Sequence, residues 1–449
     1  MSESLLSVGL DVGTTSTQLI VSQLSLHNQA SSFAVPEMVI SEKKILYESP
    51  VYLTPLLDES HIDGEGIREI VEKEYEKAGI TRRAVDTGAM IITGETSRKE
   101  NAQAVLTALS EFAGDFVVAT AGPDLESRLA AKGSGAADWS KKTGETVLHM
   151  DIGGGTSNLA LIQEGEIVDT GCLNVGGRLL VYDENQKILW ISEALENFLS
   201  LSPGDKLTEE TARQITEMLT RVLEMAAGLR PPDENLTKLI TREGKLLNPD
   251  LLKQDMVISF SGGVADCIET PHPWKQFRDL GPFLGRAIRM SRLCEGKYRL
   301  GEQTIRATVI GAGCHSAQLS GSTVFYQNIK FPLKNIPAKV IKNTETMKKS
   351  ASDEPEVLAL PGVLSPSYAQ IEALADRLAD SFGEGPLLIC LQQDMAKALG
   401  QALALRLGHN ARILCMDRIH MGEESYLDVG EPVGPAIPVV VKTLILEKG

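Results

Sequence analysis

The chain repeats one strand–turn–strand pattern at two places 140 residues apart. Each copy is an apolar run that meets an aspartate, passes through glycine and hydroxyl residues and then resumes, as "VGLDVGTTSTQLIV" at 8–21 and "HMDIGGGTSNLAL" at 149–161. Asp11 of the first copy corresponds to Asp151 of the second. The same carboxylate and glycine placement in two halves of one chain indicates a duplicated α/β unit.

The residues of these two loops are suited to holding phosphate groups. A tight turn built from Gly and Thr exposes several backbone N–H groups to an anion, and Gly lets the chain approach it closely. A carboxylate beside phosphates requires a divalent cation between them, which predicts Mg²⁺ contacts from Asp11 and Asp151. The predicted phosphate contacts are Gly13, Thr14, Thr15, Gly153, Gly154, Gly155 and Thr156. One such loop alone is more often a plain glycine-rich hairpin, and neither copy is a P-loop or a dinucleotide fingerprint.

A third glycine turn follows another apolar strand in "MVISFSGGVADCI", 256–268. Glycines at this place allow a nucleoside to lie against the backbone, so Ser261, Gly262 and Gly263 are predicted to contact adenosine. Two phosphate loops followed by an adenosine loop resemble the actin–Hsp70–sugar kinase ATPase superfamily over residues 4–320. The resemblance implies two duplicated actin-like, ribonuclease H-like domains that close on Mg-ATP in a cleft.

The group that orients the attacking water is less well marked. In the superfamily an acidic residue often follows a strand and leads into the first interdomain helix, a place that 116–133 occupies here. The resemblance makes Asp124 the first candidate, to act beside Asp151, with Glu126 and Glu95 as alternatives. Capping of the helix start is the competing role for Asp124.

Alternating strand-like and helix-like runs place the chain in the α/β class. We expect a first lobe over 1–150, with 36–80 as a candidate subdomain, and a second lobe over 151–338. The polar stretch 339–356 is predicted to be a linker. Beyond it, 357–449 is predicted to form a small α/β unit whose helix is capped by Asp394 and ends at Gly408.

Composition excludes several classes of protein. The net charge of −16 disfavours nucleic acid as a partner. Six cysteines without a CxxC disfavour a zinc ribbon or an iron–sulfur cluster and fit a reducing compartment. No apolar run reaches the roughly 20 residues that span a bilayer, and the first residues do not form a signal peptide. We therefore expect a cytoplasmic protein without a membrane partner.

From end to end the chain is similar to the ethanolamine ammonia-lyase reactivating factors, the EutA family. The similarity is carried by both loops, the adenosine loop, "DLGPFLGRAIR" at 279–289, "RATVIGAGCHSAQLSG" at 306–321 and "YLDVGEPVGPAIPVVVKTLIL" at 426–446. It implies an ATP- and Mg²⁺-dependent chaperone of ethanolamine utilisation, with ethanolamine ammonia-lyase as its partner. Such a factor releases damaged cobalamin so that intact adenosylcobalamin replaces it, and association with a bacterial microcompartment is left open.

Cobalamin itself is expected to stay with the lyase rather than to bind this chain. A base-off corrinoid site is typically DxHxxG, whereas "DRIHMG" at 417–422 has its histidine, His420, one place too late. A sugar-type kinase is the main alternative function, since it shares the ATP cleft. A radical-dehydratase activator, a polymerising actin-like protein and a ring-opening amidohydrolase remain more distant alternatives.

Overall fold

The computed structural model describes residues 4–13, 16–28, 38–58, 61–93, 101–102, 105, 117–120, 123–196, 198–242, 244–253, 255–315, 318–319, 324–341, 355–381, 385–419, 421, 425–430, 432 and 437–443. Within these residues no helix has both the length and the apolar character needed to cross a membrane.

The N-terminal sheet has the strand order β3-β2-β1-β5-β6, with the short β4 beside β2. Strand β2 runs antiparallel to both of its neighbours, β1 and β3, whereas β5 and β6 continue the sheet parallel to β1. The strands are β1 (Ser4–Val12), β2 (Ser16–Asn28), β3 (Met38–Glu48), β4 (Tyr52–Leu53), β5 (Thr87–Ile92) and β6 (Val117–Thr120).

The second sheet repeats that arrangement. Its strands are β7 (Val147–Ile152), β8 (Ser157–Gln163), β9 (Glu166–Leu173), β12 (Val257–Ser261) and β13 (Tyr298–Leu300), while β10 (Leu180–Tyr182) and β11 (Ile188–Ile191) form a separate hairpin. The order is β13-β12-β7-β8-β9, with β7, β8 and β9 antiparallel and β7, β12 and β13 parallel. Two sheets with one topology confirm the predicted duplicated, actin-like α/β fold.

Helices cover both sheets. They are α1 (Gly64–Ala78), α2 (Pro123–Gly133), α3 (Ala136–Thr143), α4 (Glu193–Glu196), α5 (Glu209–Ala226), α6 (Glu234–Lys238), α7 (Asp266–Glu269), α8 (Gly281–Arg289) and α9 (Ala307–His315). On one face of the first sheet, Ile67, Val71 and Tyr75 of α1 pack against alternate residues of β1. On the other face, Val309, Ile310 and Ala312 of α9 join Leu5 and its neighbours.

Helices α2 and α9 each pack on the sheet of the opposite half. Helix α2 follows β6 in the chain but lies on β7, β8 and β9, and α9 follows β13 but lies on β1, β2 and β5. The two helices also pack on each other at close range: a Cβ on Gly311 would lie 2.1 Å from the Leu129 carbonyl oxygen. The paired helices therefore tie the two lobes together.

A third sheet forms the C-terminal unit, in the order β14-β21-β20-β16-β17-β18-β19-β15. Helices α10 and α11 pack together against its parallel centre, β16 to β19. Its elements are β14 (Gln318–Leu319), β15 (Phe325–Gln327), β16 (Leu333–Val340), β17 (Val357–Leu360), α10 (Tyr368–Ser381), β18 (Pro386–Leu391), α11 (Ala396–Leu407), β19 (Arg412–Met416), β20 (Ser425–Val429) and β21 (Pro438–Thr443).

Strand pairing in the structure does not follow the domain boundaries expected from the sequence. Position 150 falls inside β7, all of whose strand partners belong to the second sheet. The expected subdomain 36–80 contributes β3, β4 and α1 to the first lobe. The C-terminal unit already includes strands from 318 onward, so 339–356 begins within β16 rather than in a linker. Residues 342–354 of that stretch lie outside the described residues.

One capping prediction was wrong. The first amides of α11, those of Met395 and Ala396, donate to Asp417 Oδ1 at 3.0 and 2.8 Å, whereas Asp394 pairs with Arg418 at 2.7 Å. Asp417 reaches the helix start because β19 lies next to β18, which leads into α11. Gly408 follows the last residue of α11, as predicted.

Candidate functional site

A cavity of about 540 Å³ lies between the first two lobes, within the ~300–1,000 Å³ range of small-molecule sites. The end of β1 and the turn after it form one wall, and the turn after β7 and the adenosine loop form the other. Predicted site residues in its lining are Asp11, Gly13, Asp151, Gly153, Gly154, Gly155, Thr156, Gly262 and Gly263. Chain folding thus brings together three loops that are far apart in sequence.

The two predicted phosphate loops have the same turn geometry. The Gly13 amide donates to the Ser16 carbonyl at 2.9 Å, and the Gly153 amide donates to the Thr156 carbonyl at 3.0 Å. Around Gly155 no atom lies within 4 Å of an added Cβ, so this residue borders open space. Thr14 and Thr15 lie outside the described residues. The turns accordingly leave room for an anion beside the second loop.

Asp11 sits in the cleft with one hydroxyl partner. Thr93, directly after β5, donates its hydroxyl to Asp11 Oδ1 at 2.9 Å. Burial raises the pKa of Asp11 to about 7, the Thr93 hydrogen bond opposes that rise, and the nearby Asp151 charge adds to it. A bound cation would hold this carboxyl in its ionised form.

Asp151 is more enclosed and has two hydroxyl partners. Ser261 donates a short hydrogen bond to Oδ1, and Thr308 of α9 donates to Oδ2 at 3.3 Å. Burial raises the pKa of Asp151, against the effect of both hydroxyls. Because α9 packs on the first sheet, Thr308 connects a second-lobe carboxylate to the first lobe.

Behind Ser261 lies a fully buried histidine that sequence analysis did not single out. His149 Nε2 is 2.9 Å from Ser261 Oγ, and Nδ1 is 3.2 Å from Ser259 Oγ. Burial lowers the pKa of His149 to about 3, assisted by the Arg299 charge, so the ring is neutral. Since the Ser261 hydroxyl donates to Asp151, Nε2–H must be the donor to Ser261. His149 thereby fixes the direction of the hydrogen bond that reaches Asp151.

The three residues of the adenosine loop have different surroundings. Ser261 is buried below the loop and does not line the cavity. Gly262 has φ +85°, and a Cβ there would lie 2.3 Å from the Ile152 carbonyl oxygen, so glycine is required by the fold itself. Gly263 faces the cavity wall, where an added Cβ would meet only Ile305 at 3.8 Å.

Asp124, the first candidate for orienting water, lies outside the cavity lining. It accepts from the Thr170 hydroxyl at 2.6 Å and pairs with Arg128 at 2.9 Å on the protein surface. Glu126 is on another side of α2, is buried, and lines the cleft. It accepts from Asn158 Nδ2 at 2.6 Å. Glu95 lies outside the described residues.

Sequence analysis also missed Arg178, the one lysine or arginine among the described residues that line the cavity. Its guanidinium is 3.9 Å from Asp279 Oδ2, and its own amide donates to the Gly154 carbonyl at 2.7 Å. The same lining contains five carboxylates: Asp11, Glu126, Asp151, Asp266 and Asp279. A nucleoside triphosphate in this cleft would need positive charge beside its phosphates. The sequence signal that could have identified Arg178 is "VGGR", which follows β9.

A hydrated divalent cation fits this lining. Among the described residues, no group of three or more His, Cys, Asp or Glu side chains is arranged to hold a metal directly. Two buried side-chain oxygens at the cleft, Gln18 Oε1 and Asn158 Oδ1, have no hydrogen-bond partner within the described part of the chain. Such acceptors, together with Asp11 and Asp151, suit a cation that keeps its water ligands, as Mg²⁺ does.

Comparison with known proteins gives full-length matches. The family described as "Ethanolamine utilisation protein EutA" matches residues 3–447. Ethanolamine ammonia-lyase reactivase EutA of Salmonella typhimurium strain LT2 is 36% identical over 465 residues, covering 98% of both chains. The protein of that name from Escherichia coli strain K12 is 36% identical over 464 residues with the same coverage. Among solved structures, an Aquifex aeolicus Ppx/GppA family member aligns with 69% of this chain and 97% of its own, at 15% identity and a TM-score of 0.43.

Proposed function

This chain belongs to the EutA family of ethanolamine utilisation proteins, and from that premise we propose that it is an ATP-dependent reactivating factor for adenosylcobalamin-dependent ethanolamine ammonia-lyase. In this role it opens the inactivated lyase so that damaged cobalamin leaves and intact adenosylcobalamin enters. The observation that carries the proposal is the meeting of both Asp–Gly loops in one cleft of a chain whose full-length relatives are named reactivases.

In the proposed site the backbone amides of the two turns bind the phosphate chain, with Arg178 as its cationic side-chain contact. Asp11 and Asp151 hold the hydrated Mg²⁺ of Mg-ATP. When bound, Mg²⁺ neutralises phosphate charge that would otherwise face these carboxylates. Gly263 contributes the wall against which adenosine lies, and Ser261 acts from below by orienting Asp151.

We assign the water-orienting role to Glu126 in place of Asp124. Glu126 faces the cleft and its carboxylate is held by Asn158, whereas Asp124 is exposed and paired with Arg128. A carboxylate at this place accepts a hydrogen bond from the attacking water and turns its lone pair towards the terminal phosphorus.

Nucleotide state can be transmitted because both lobes contact the same site. Thr308 of α9 donates to Asp151, while α9 itself packs on the first sheet. A γ-phosphate held between the lobes favours a closed form, and hydrolysis removes that restraint. Work on the lyase then requires that the two forms bind it with different affinity.

The test combines nucleotide binding with recovery of lyase activity. We expect Asp11→Asn and Asp151→Asn each to weaken Mg-ATP binding in calorimetry. We expect both to abolish reactivation of cobalamin-inactivated lyase in the presence of ATP, Mg²⁺ and adenosylcobalamin. Full binding and reactivation in both variants would contradict the proposal, and hydrolysis that requires a polyol rather than the lyase would favour a kinase.

Glu126→Gln and Asp124→Asn form a matched pair on one helix. Glu126→Gln is expected to slow hydrolysis by about 100-fold with ATP binding retained, whereas Asp124→Asn is expected to leave both unchanged. The reverse pattern would return the water-orienting role to Asp124.

A further inference from the structure

The duplication extends to a second pair of cleft side chains. Gln18 on β2 lies directly opposite Asp11 on β1, and Asn158 on β8 lies directly opposite Asp151 on β7. Directly opposed residues of antiparallel strands share one face of the sheet. Each lobe therefore presents a carboxylate and a carboxamide side by side at the cleft. Both residues of the second lobe lie 140 positions after their counterparts in the first.

The nitrogen end of each carboxamide is anchored to a segment that links the lobes. Gln18 Nε2 donates to the Ile305 carbonyl at 3.1 Å, just before α9, and Asn158 Nδ2 donates to Glu126 of α2 at 2.6 Å. Both partners are acceptors only, so the NH₂ groups must face them and the carbonyl oxygens must point the other way. The orientation of both amides is thus set without any ligand.

The oxygen end of each carboxamide has no partner within the described part of the chain. Gln18 is 3% exposed and Asn158 is 4% exposed, and neither Oε1 nor Oδ1 accepts a hydrogen bond. A buried acceptor without a donor costs free energy. Both residues line the cavity that also contains Asp11 and Asp151, so a ligand there is the available source of donors.

These four side chains present only oxygen acceptors, which excludes a phosphate oxygen as their neighbour. We propose, on the basis of the function proposed above, that Gln18 and Asn158 accept hydrogen bonds from water molecules around the Mg²⁺ of bound Mg-ATP. They act as positioning residues, one from each lobe, and complete a shell that the two aspartates begin. Closure of the cleft would place the two pairs of side chains around one hydrated cation.

The test compares ATP affinity with Mg²⁺ and with EDTA, by calorimetry on the full chain. Gln18→Met and Asn158→Leu keep side-chain bulk but remove the acceptor, together with the NH₂ donor to Ile305 or Glu126. Each is expected to weaken binding at least about 10-fold in Mg²⁺, the effect of losing one hydrogen bond to a charged centre, with little change in EDTA. Gln23→Met, on the same strand but outside the cavity lining, is the control and is expected to change neither value.

Gln18→Glu keeps the oxygen acceptor and adds a negative charge, so it should change the Mg²⁺ dependence of ATP affinity in the direction opposite to Gln18→Met. It is expected to increase the ratio of affinity in Mg²⁺ to affinity in EDTA, whereas Gln18→Met decreases it. Electron paramagnetic resonance of Mn²⁺ in place of Mg²⁺ provides a readout independent of turnover, and weaker Mn²⁺ binding to the Met and Leu variants is expected. Equal losses with and without Mg²⁺, or no loss, would overturn the proposal. Absence of ATP binding to the unaltered protein would instead refute the proposed function.

Discussion

Two neighbouring glycines, Gly262 and Gly263, occupy the candidate adenosine loop for different physical reasons. Gly262 has a positive φ and touches the backbone of Ile152, so any side chain there strains the strand that carries Asp151. Gly263 has space for a Cβ and faces the cleft. Only a change at Gly263 therefore separates nucleotide binding from folding.

We predict that Gly263→Val lowers ATP affinity by about 10-fold or more, the scale of one lost apolar contact plus steric conflict. The unfolding temperature is expected to stay close to that of the unaltered protein. Calorimetric titration and thermal unfolding measure the two effects. Gly262→Ala serves as the contrast, because it should lower the unfolding temperature even without nucleotide. Unchanged ATP affinity in Gly263→Val would remove the loop from the adenosine site.

Sequence analysis predicted the cleft residues that follow from a local pattern. It failed for residues whose position depends on the phase of a helix or on packing between segments that are distant in the chain. Asp11 and Asp151 follow from strand ends and turns, which are local. Asp124 and Glu126 are two positions apart on a helix, about 200° around its axis, so only one faces the cleft, and the first helical residue was not known. Arg178 follows β9 and enters the site only through the packing of its loop on Gly154.

Among the elements, helices α2 and α9 cross with their backbones in close contact. Gly311→Ala is predicted to destabilise the protein by about 1–3 kcal/mol, as overpacking does, and to weaken ATP binding, because the added methyl group meets the Leu129 backbone at 2.1 Å. Denaturant unfolding and calorimetry report the two effects. Gly296→Ala, where no atom lies within 4 Å of the new Cβ, is the control and should change neither.

The cap of α11 predicts a pH dependence of the C-terminal unit. Burial raises the pKa of Asp417 to about 6, against the two amides that donate to it. A raised pKa means that the folded state binds the proton more tightly than the unfolded state does. The resulting contribution of Asp417 to the free energy of unfolding is fully present below pH ~4 and is lost as the pH rises to ~6. The loss is at most about 1.4 kcal/mol per pH unit.

Asp417→Asn is expected to remove this contribution, since the amide keeps an acceptor for the helix start and cannot ionise. Urea unfolding at several pH values between 4 and 7 measures the difference in slope between variant and unaltered protein. Asp394 is exposed and paired with Arg418, and its charge also raises the pKa of Asp417, so Asp394→Asn should reduce the slope only in part. Identical slopes for the Asp417 variant and the unaltered protein would contradict the assignment.

Across elements, sequence analysis predicted the strands better than the boundaries between units. Apolar runs marked β1, β7 and β12 because strand burial is encoded within each run. The start of the C-terminal unit was missed because β14 pairs with β21, more than a hundred residues later, and β16 pairs with β17 and β20. Pairing between segments so far apart in the chain cannot be recognised from the sequence of β14 or β16 alone.

For the whole molecule, the sheet boundaries decide where a truncation is informative. We predict that a chain ending at residue 317 keeps α9, folds and binds Mg-ATP, but does not reactivate the lyase; the reason we propose is that the C-terminal unit supplies surface for that partner. A chain ending at 356 leaves β16 without β17 and β20 and is expected to be less soluble. Calorimetry and the reactivation assay decide, and full reactivation by the 317-residue chain would show that the unit is dispensable.

The exchange of α2 and α9 between the lobes also sets an order of events during synthesis. The described strands of the first sheet have all been synthesised by residue 120, yet the helix that covers one face of that sheet is residues 307–315. Until then the cluster of Leu5, Ile20, Leu24 and Ile91 lacks the cover that α9 supplies. Of the first two lobes, the one that is made first is therefore completed second, and a nascent chain arrested within the second lobe should need a chaperone of its own.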